Sequence, residues 1–275
     1  MVHTASVLSA AWRRIYRIVL ITLWCLLILF WNVFLRFFLP DTKSRNMMRK
    51  SIRCWGRVIV KILGVNIRLN SESASPASVS GLIVANHQGT LDFIVCSAIF
   101  GPFLTAKTDI RKWPLVGMYA ELAYMIWINR RSARSSLKCM TEIREYLKRG
   151  FPVIMFPEAT SRDTRRGLLP FKPLFLESVV NTELLIHPFV VCYWVPDGER
   201  YPNYEVGDNI LRISWQFLGN SRTECLGCLL PARSAGTLDR KTLAKSLHDE
   251  MASAFLRVWK EIDGRHSAQS EKKLK

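Results

Sequence analysis

A histidine and an aspartate five residues apart are the side chains in this sequence best suited to chemistry. His87 and Asp92 belong to the stretch 86–92, which follows the short apolar run 81–85. A carboxylate held on one imidazole nitrogen fixes the tautomer of the ring and raises its basicity, which leaves the other nitrogen free to accept a proton. The spacing therefore predicts the base and the orienting acid of a catalytic triad.

The third member of such a triad, the nucleophile, has no candidate in the sequence. No Gly-x-Ser-x-Gly elbow occurs anywhere in the chain. We therefore expect the substrate to supply the nucleophile, as a hydroxyl that attacks an activated acyl group directly. Such a pair also arises by chance, and the alternative is a structural histidine satisfied by a nearby carboxylate. The other histidines have no comparable neighbours and receive no role.

A strand that ends before His87 and a helix that begins behind it would bring the pair together. The run 81–85 predicts a strand buried on both faces, and 93–100 predicts the helix that leaves it. Because strands alternate with helices, we predict an α/β fold with a mostly parallel sheet flanked by helices. Ligands bind at the carboxyl edge of such sheets. The other predicted strands are 104–106, 124–128, 151–156, 184–194 and the partly exposed 211–217, and the other helices are 54–65, 132–149 and 243–262.

The N-terminal part of the chain predicts attachment to a membrane. The stretch 18–35 is apolar apart from two polar residues, and as a helix its 18 residues would span about 27 Å. Arg13, Arg14 and Arg17 precede it, and further basic residues follow it. Positive charge on both sides gives no orientation, so residues 15–39 either span the bilayer or re-enter one leaflet. A buried core helix is the alternative.

The charge and the cysteines restrict the partners and the compartment. The formal net charge of +17 implies an acidic partner. Because basic residues cluster around the apolar stretch, anionic membrane lipids are favoured and nucleic acid is not expected. Seven cysteines, an odd number, argue against a disulfide framework and indicate a reducing compartment. Cys225 and Cys228 form a single Cys-x-x-Cys pair, and without a second pair they predict no zinc site.

Four blocks of sequence, in order, resemble a known family. The stretch 84–92 resembles the first signature of the glycerolipid acyltransferases, typified by the 1-acylglycerol-3-phosphate acyltransferases. The intervening segments 106–107 and 113–117 also look like the family. The later blocks are similar at 126–130, at 156–160 and at the apolar, proline-containing 184–191. The match in order and spacing covers roughly residues 80–195, and it is far more specific than any single block.

The resemblance implies a role for each matching residue. His87 would be the general base on the acceptor hydroxyl, and Asp92 would orient it. The family implies no cofactor and no metal. Arginine suits bidentate contacts to phosphate, although a solvated surface is the alternative for the arginine of the second block. The residues expected to bind the head of the acceptor are Lys107, Arg130, Glu158, Thr160 and Arg162.

The third block departs from the family pattern in two places. Ala159 stands where the family usually has glycine, so either the backbone there needs no positive φ or the turn differs. The arginine that normally follows threonine directly is displaced by Ser161 to Arg162. This version is similar to a subgroup that includes bacterial lyso-ornithine-lipid acyltransferases. The displaced arginine leaves the phosphate-bearing acceptor open, but not the acyl transfer.

The sequence thus predicts a membrane-bound O-acyltransferase with acyl-CoA or acyl carrier protein as donor. The expected acceptor is a lysophospholipid, first 1-acyl-glycerol-3-phosphate to give phosphatidic acid, with another lysolipid such as lyso-ornithine lipid as the alternative. A non-catalytic membrane-surface protein is the alternative of another class. Residues 1–70 would anchor the chain, 71–263 would form the acyltransferase domain and 264–275 a disordered basic tail. We expect the bacterial inner membrane, with the domain facing the cytoplasm.

Overall fold

The computed structural model describes residues 2–71, 75–113, 116–129, 132–160, 167–196 and 210–273, which form seven helices and seven strands. The helices are α1 (Val2–Phe38), α2 (Asp41–Leu63), α3 (Thr90–Phe100), α4 (Val116–Leu122), α5 (Ala133–Lys148), α6 (Ile210–Gly219) and α7 (Arg240–Lys273). The strands are β1 (Val65–Ser71), β2 (Leu82–Ala85), β3 (Phe103–Lys107), β4 (Ile126–Ile128), β5 (Val153–Met155), β6 (Ile186–Trp194) and β7 (Thr223–Leu229).

The strands form one sheet in the order β1-β7-β6-β2-β5-β3-β4. Every neighbouring pair is parallel except β6 and β7, which are antiparallel. The carboxyl ends of β6, β2, β5, β3 and β4 therefore share one edge of the sheet. This arrangement confirms the predicted α/β fold with a mostly parallel sheet.

Helices cover both faces of the sheet. On one face, α2 and α3 pack through Ile59, Leu63, Val95 and Ile99 against residues such as Ile83. On the other face, α5 and α7 bury the apolar stripes that the sequence predicts, against the opposite side chains of the same strands. β2, β5 and β6 are buried throughout, as expected for strands covered on both faces.

The first two helices form an antiparallel pair that lies against the domain. The hydroxyl of Ser51 on α2 donates to Asn32 Oδ1 on α1 at 2.8 Å, and the indole of Trp55 donates to Cys25 Sγ at 3.5 Å. The polar interruption at Asn32 in the apolar stretch therefore joins the two helices. α2 ends, as predicted, at Gly64, whose φ of 70° favours glycine.

α1 carries the apolar surface expected of a membrane segment, and it is longer than predicted. It has 37 residues, and its part Leu8–Phe38 is long and apolar enough to cross a membrane by length and composition. Only 17% of its most apolar stretch is buried, so α1 is not the buried core helix considered as the alternative. Its most exposed large side chains include Trp12, Phe30 and Phe37, at 66%, 72% and 76%.

The arginines that precede the apolar stretch are bonded to the domain. Arg17 is 2% exposed, and its guanidinium donates to the carbonyls of Leu218 and Asn220 at 2.9 and 2.6 Å. Arg13 donates to the carbonyl of Gly219 at 2.8 Å. These arginines precede the apolar stretch, as the sequence shows, and they are also bonded to the C-terminal end of α6.

Several elements differ from the sequence-based expectation, and β7 and α4 were not predicted at all. The stretch 211–217, expected as a strand, lies in the helix α6, and that prediction was wrong. In so short a run, Ile213 and Phe217 fit both the alternation of a strand and the spacing of a helix. The hydrophobic period alone therefore does not distinguish the two. β1 was not predicted, since its side chains become more exposed along the strand. α7 continues to Lys273, beyond Gly264, where the disordered tail was expected to begin.

Candidate active site

The connection between β2 and α3 builds the centre of the site. β2 ends at Ala85 and α3 begins at Thr90, which places Asp92 in the first turn of the helix. The carboxylate folds back over residues 86–89, and its Oδ2 lies 2.8 Å from His87 Nδ1. The same oxygen accepts the backbone N–H groups of Gln88 at 2.6 Å and Gly89 at 2.9 Å. The predicted histidine–aspartate pair is thus present, and the carboxylate also fixes the loop that carries the histidine.

The orientation of the imidazole follows from these contacts. Because Asp92 is fully buried and its Oδ2 can only accept when ionised, Nδ1 carries the proton and Nε2 is left as the acceptor. The ring of His87 stacks on Phe156, with centroids 4.6 Å apart, and meets the edge of Phe93 at 5.6 Å. None of the described residues hydrogen-bonds Nε2. Nε2 is thus the ring atom available to a substrate.

Two amide side chains hold the loop onto the neighbouring strand. Asn86 Nδ2 donates to the carbonyl of Val191 at 2.9 Å, and the N–H of Val191 donates back to Asn86 Oδ1 at 2.8 Å. Gln88 Nε2 donates to the same carbonyl. Sequence analysis gave neither residue a role, although two buried amides on either side of a functional histidine are a usable signal. They fix the position of His87 relative to β6.

The side chain of Glu158 contacts the backbone of the loop that carries His87. The side chain is 4% exposed, its Oε1 accepts the N–H of His87 at 2.9 Å, and its Oε2 accepts the N–H of Leu169 at 2.9 Å. Burial raises the pKa of this carboxyl to about 6, and the two backbone hydrogen bonds oppose that rise. Since both oxygens hold backbone groups, the geometry favours a positioning role for Glu158 over direct contact with the acceptor.

The departure at position 159 concerns the backbone. Ala159 has a φ of 61°, so the expectation that this position might need no positive φ was wrong. Its N–H donates to the carbonyl of Phe156 at 3.1 Å, which closes the turn after β5. The left-handed region costs an alanine about 1–2 kcal/mol. The turn therefore places an alanine in a backbone conformation that favours glycine, at a cost in stability.

The remaining predicted residues fall at the same edge of the sheet or outside the described ranges. Lys107 ends β3 with an exposed side chain, opposite Ile128 in β4, and Thr160 is half-buried. Because β5 lies between β2 and β3, the strands that lead to His87 and Lys107 are about 10 Å apart. Arg130 and Arg162 lie outside the residues that the structure describes.

An apolar cavity of about 180 Å³ opens beside the catalytic loop. Gln88, Gly89, Thr90 and Leu91 form the wall nearest the site. The other walls come from α1, α2, α3 and α6, through Ile21, Trp55, Ile59, Leu63, Ile94, Ile213, Ser214, Phe217 and Leu218. α6, which the sequence did not predict as a helix, thus contributes to the site, and a charged or strongly polar ligand would not match this lining.

The comparisons with known proteins agree with the fold. Residues 66–192, somewhat less than half of the chain, match the family model described as Acyltransferase, which confirms the expected resemblance. The fold is similar to the crystal structure of the 1-acyl-sn-glycerophosphate (LPA) acyltransferase, PlsC, from Thermotoga maritima. The TM-score is 0.61 at 22% identity, over 89% of this chain and 97% of that one.

Two curated relatives represent the two acceptors considered above. A 1-acyl-sn-glycerol-3-phosphate acyltransferase of Neisseria meningitidis serogroup B is 30% identical over 162 residues, which are 58% of this chain and 60% of the relative. A lyso-ornithine lipid O-acyltransferase of Pseudomonas aeruginosa is 27% identical over 226 residues, 81% of this chain and 85% of the relative. The chain thus covers about three fifths of the first relative's length.

Replacing Glu158 tests its positioning role. In Glu158→Gln the amide keeps one acceptor oxygen, but its NH₂ group faces a backbone N–H, a buried mismatch that costs about 1–3 kcal/mol. We expect kcat to fall about 10- to 100-fold through misplacement of His87, with little change in the acceptor KM. Steady-state kinetics will measure both, with the exposed Glu183→Gln as control. A raised acceptor KM at unchanged kcat would instead assign Glu158 to acceptor binding.

Replacing Ala159 tests the strained turn. Ala159→Gly removes the left-handed penalty but adds entropy to the unfolded chain, so we expect the free energy of unfolding to rise by about 0.5–1 kcal/mol. Denaturant unfolding in detergent will measure it. The matched control is Ala252→Gly on α7, which should lower the free energy of unfolding by about 1 kcal/mol. A loss of stability in both variants would contradict a strained backbone at Ala159.

Proposed function

We propose that this protein transfers a fatty acyl group to the free hydroxyl of a lysolipid, with His87 as the general base. The observation that carries the proposal is the buried Asp92 carboxylate on His87 Nδ1, which leaves Nε2 available on a loop whose next residues, Gln88 and Gly89, line an apolar cavity. No hydroxyl or thiol of the described residues hydrogen-bonds Nε2. The proton acceptor therefore serves a group that arrives with the substrate.

The reaction then proceeds without an acyl-enzyme. His87 Nε2 takes the proton of the acceptor hydroxyl as its oxygen attacks the carbonyl carbon of the thioester. The tetrahedral intermediate collapses, the carbon–sulfur bond breaks, and the thiol of coenzyme A or acyl carrier protein leaves with the proton held by His87. Asp92 stabilises the imidazolium throughout and holds the ring in place. The N-terminus of α3 is a candidate stabiliser for the oxyanion.

The cavity is a suitable place for an acyl chain. A cavity of about 150 Å³ lined by apolar residues is enough to hold benzene. The larger apolar space beside Gln88 and Thr90 therefore fits part of a hydrocarbon chain. A chain in this cavity lies alongside the loop that carries His87, which supports an acyl-bearing substrate over a small polar one.

The leading acceptor is 1-acyl-glycerol-3-phosphate. Basic side chains suit a phosphate, and Lys107 follows the strand β3 at the same edge as His87. Arg130 and Arg162 are proposed phosphate contacts on the family resemblance, as is Thr160 for the acceptor's head. Acyl-CoA and acyl carrier protein both remain donors under this proposal.

Lyso-ornithine lipid is the second candidate acceptor. Two observations favour it: the displacement of the third-block arginine to Arg162, and the relative from Pseudomonas aeruginosa that aligns with 81% of this chain. Its head bears an amine and a carboxylate, so it would need fewer cations than a phosphate does. The number of cationic side chains at the carboxyl edge of the sheet therefore distinguishes the two candidate acceptors.

The membrane attachment is proposed to be in one leaflet. α1 is about 55 Å long, well beyond a hydrocarbon core of about 30 Å. Arg17 ties one end of it to α6, and Asn32 ties the other part to α2, so one face lies against the domain along most of its length. A spanning orientation would carry the polar domain into the hydrocarbon. The exposed face of α1 therefore lies in the interface.

α2 supports the same orientation. Its exposed side chains include Lys43, Lys50, Arg57 and Lys61, which lie at intervals of seven, seven and four residues on one face. Cations at that position reach anionic headgroups, each worth about 1 kcal/mol. We place the domain on the cytoplasmic side of a bacterial inner membrane, where free thiols and the acyl donors are found. All seven cysteines are free, in agreement with a reducing compartment.

An in vitro acceptor screen tests the reaction. Purified protein with one labelled acyl donor is offered lysophosphatidic acid and lyso-ornithine lipid separately, and products are identified by mass spectrometry. We expect a diacyl product with lysophosphatidic acid and a rate at least about 10²-fold lower in His87→Ala. Folding and membrane binding of the variant serve as controls. Near wild-type turnover in His87→Ala would exclude the general-base mechanism.

A vesicle experiment tests the membrane mode. The wild-type protein should float with anionic vesicles even after a high-salt wash, whereas Phe30→Glu with Phe37→Glu should release it, because charge is costly in the interface. The basic-face control, Lys50→Gln with Arg57→Gln, should weaken binding to anionic vesicles only. An N-terminal tag should be cleaved by protease on the side of the domain. Protection of that tag would mean that α1 crosses the bilayer.

A further inference from the structure

The arginines that begin α1 have no part in the proposed reaction, yet they hold one wall of the apolar cavity. We infer that Arg17, aided by Arg13 and Arg14, is a positioning residue that fixes the width of this cavity and so the length of acyl chain that the protein accepts. The inference rests on the proposed function and adds a residue that determines its specificity.

The contact between these arginines and α6 is dense. Arg17 donates to the carbonyls of Leu218, Asn220 and Ser221, at 2.9, 2.6 and 3.5 Å. Arg13 donates to the carbonyl of Gly219, one residue after Leu218. The last turn of α6 and the residues that follow it are thus bonded to one helix face, more than 200 positions earlier in the chain.

Arg14 closes the contact from the side. Its Nε donates to the carbonyl of Trp215 at 3.0 Å, and its guanidinium lies 5.1 Å from the centre of the Trp215 ring. A Cβ added to Gly219 would lie 2.6 Å from Arg14 Nη2. A side chain at this position would therefore displace the guanidinium of Arg14 from its contact with α6.

The electrostatics explain why this contact is rigid. The last carbonyls of a helix have no intrahelical partners and carry a partial negative charge. Arg17 is 2% exposed, and no carboxylate among the described residues forms an ion pair with it. A buried cation with no counterion depends on its hydrogen bonds, since losing them would leave the charge uncompensated. The carbonyls and the cation thus fix each other.

The same two helices form one side of the cavity. Ile21 lies one turn after Arg17 on α1, and Phe217 and Leu218 lie in the last turn of α6, where the arginines hold the carbonyls of Leu218 and Gly219. On the opposite walls, from α2 and α3, Ile59, Leu63 and Leu91 are buried in the core, whereas Ile21, Phe217 and Leu218 are only partly buried. By fixing the position of the last turn of α6, the arginines therefore control the width of the cavity.

The test compares acyl-donor profiles of matched variants. Arg17→Met keeps most of the side-chain volume and removes the hydrogen bonds, and Arg257→Met, on the exposed face of α7, is the control. Each is assayed with saturated acyl-CoA donors of increasing chain length. A methylene in an apolar pocket is worth about 10-fold or more in specificity, so we expect the kcat/KM ratio between the preferred donor and the next longer one to fall about 10-fold. The change should appear in KM more than in kcat.

Two further variants keep the test decisive if Arg17→Met folds poorly. Arg17→Lys keeps the charge and part of the bonding and should give an intermediate profile, and Gly219→Ala disturbs the contact from the side of α6 and should also broaden it. Ile213→Trp fills the cavity and should shift the preference to shorter donors. An unchanged ratio in folded Arg17 and Gly219 variants, or a uniform loss with all donors, would overturn the inference.

Failure of the proposed function is recognised separately. If the wild-type protein turns over neither acyl-CoA nor acyl carrier protein donors, acyl transfer itself is refuted, and binding of fluorescent fatty acids of different chain lengths then tests the cavity. Under the inference the probe binds to the wild type, is excluded by Ile213→Trp, and loses its chain-length dependence in Arg17→Met but not in Arg257→Met. Equal binding profiles in all four proteins would refute the role of Arg17.

Discussion

The site depends on one buried carboxylate. Oδ2 of Asp92 lies 2.8 Å from the ring of His87 and accepts the backbone N–H groups of Gln88 and Gly89. A fully buried charge must be compensated by hydrogen bonds, and here the compensating groups are those of the catalytic loop itself. The hydrogen bonds that stabilise Asp92 therefore also fix the conformation of the loop and the orientation of the His87 ring.

The other contacts of the loop extend this organisation to two neighbouring strands. Asn86 bonds reciprocally to Val191 in β6, and Glu158, after β5, accepts the N–H of His87. β2 lies between β5 and β6, so the loop is held from both sides. A substrate hydroxyl that reaches Nε2 therefore meets a base whose position is already fixed, and little ordering remains at the moment of reaction.

Local features were predictable from the sequence and distant ones were not. The His87–Asp92 pair and the buried strands depend on neighbours within a few residues. Glu158 meets His87 from 71 positions away, and Arg17 meets α6 from 201, and neither contact leaves a local pattern. α6 was misread because a short apolar run fits two periods. The φ of Ala159 is imposed by the surrounding turn, so its residue type gave no warning.

The position of α1 connects membrane attachment with chemistry. Its exposed apolar face is formed by residues such as Phe30, while Ile21 on its other side lines the cavity beside Gln88. A helix in the interface with one face in lipid and the other at the site places the cavity about one helix diameter, roughly 10 Å, from the acyl region. Under the proposed function, a lysolipid would then reach Nε2 without leaving the bilayer completely, and α1 would both line the site and attach it to the membrane.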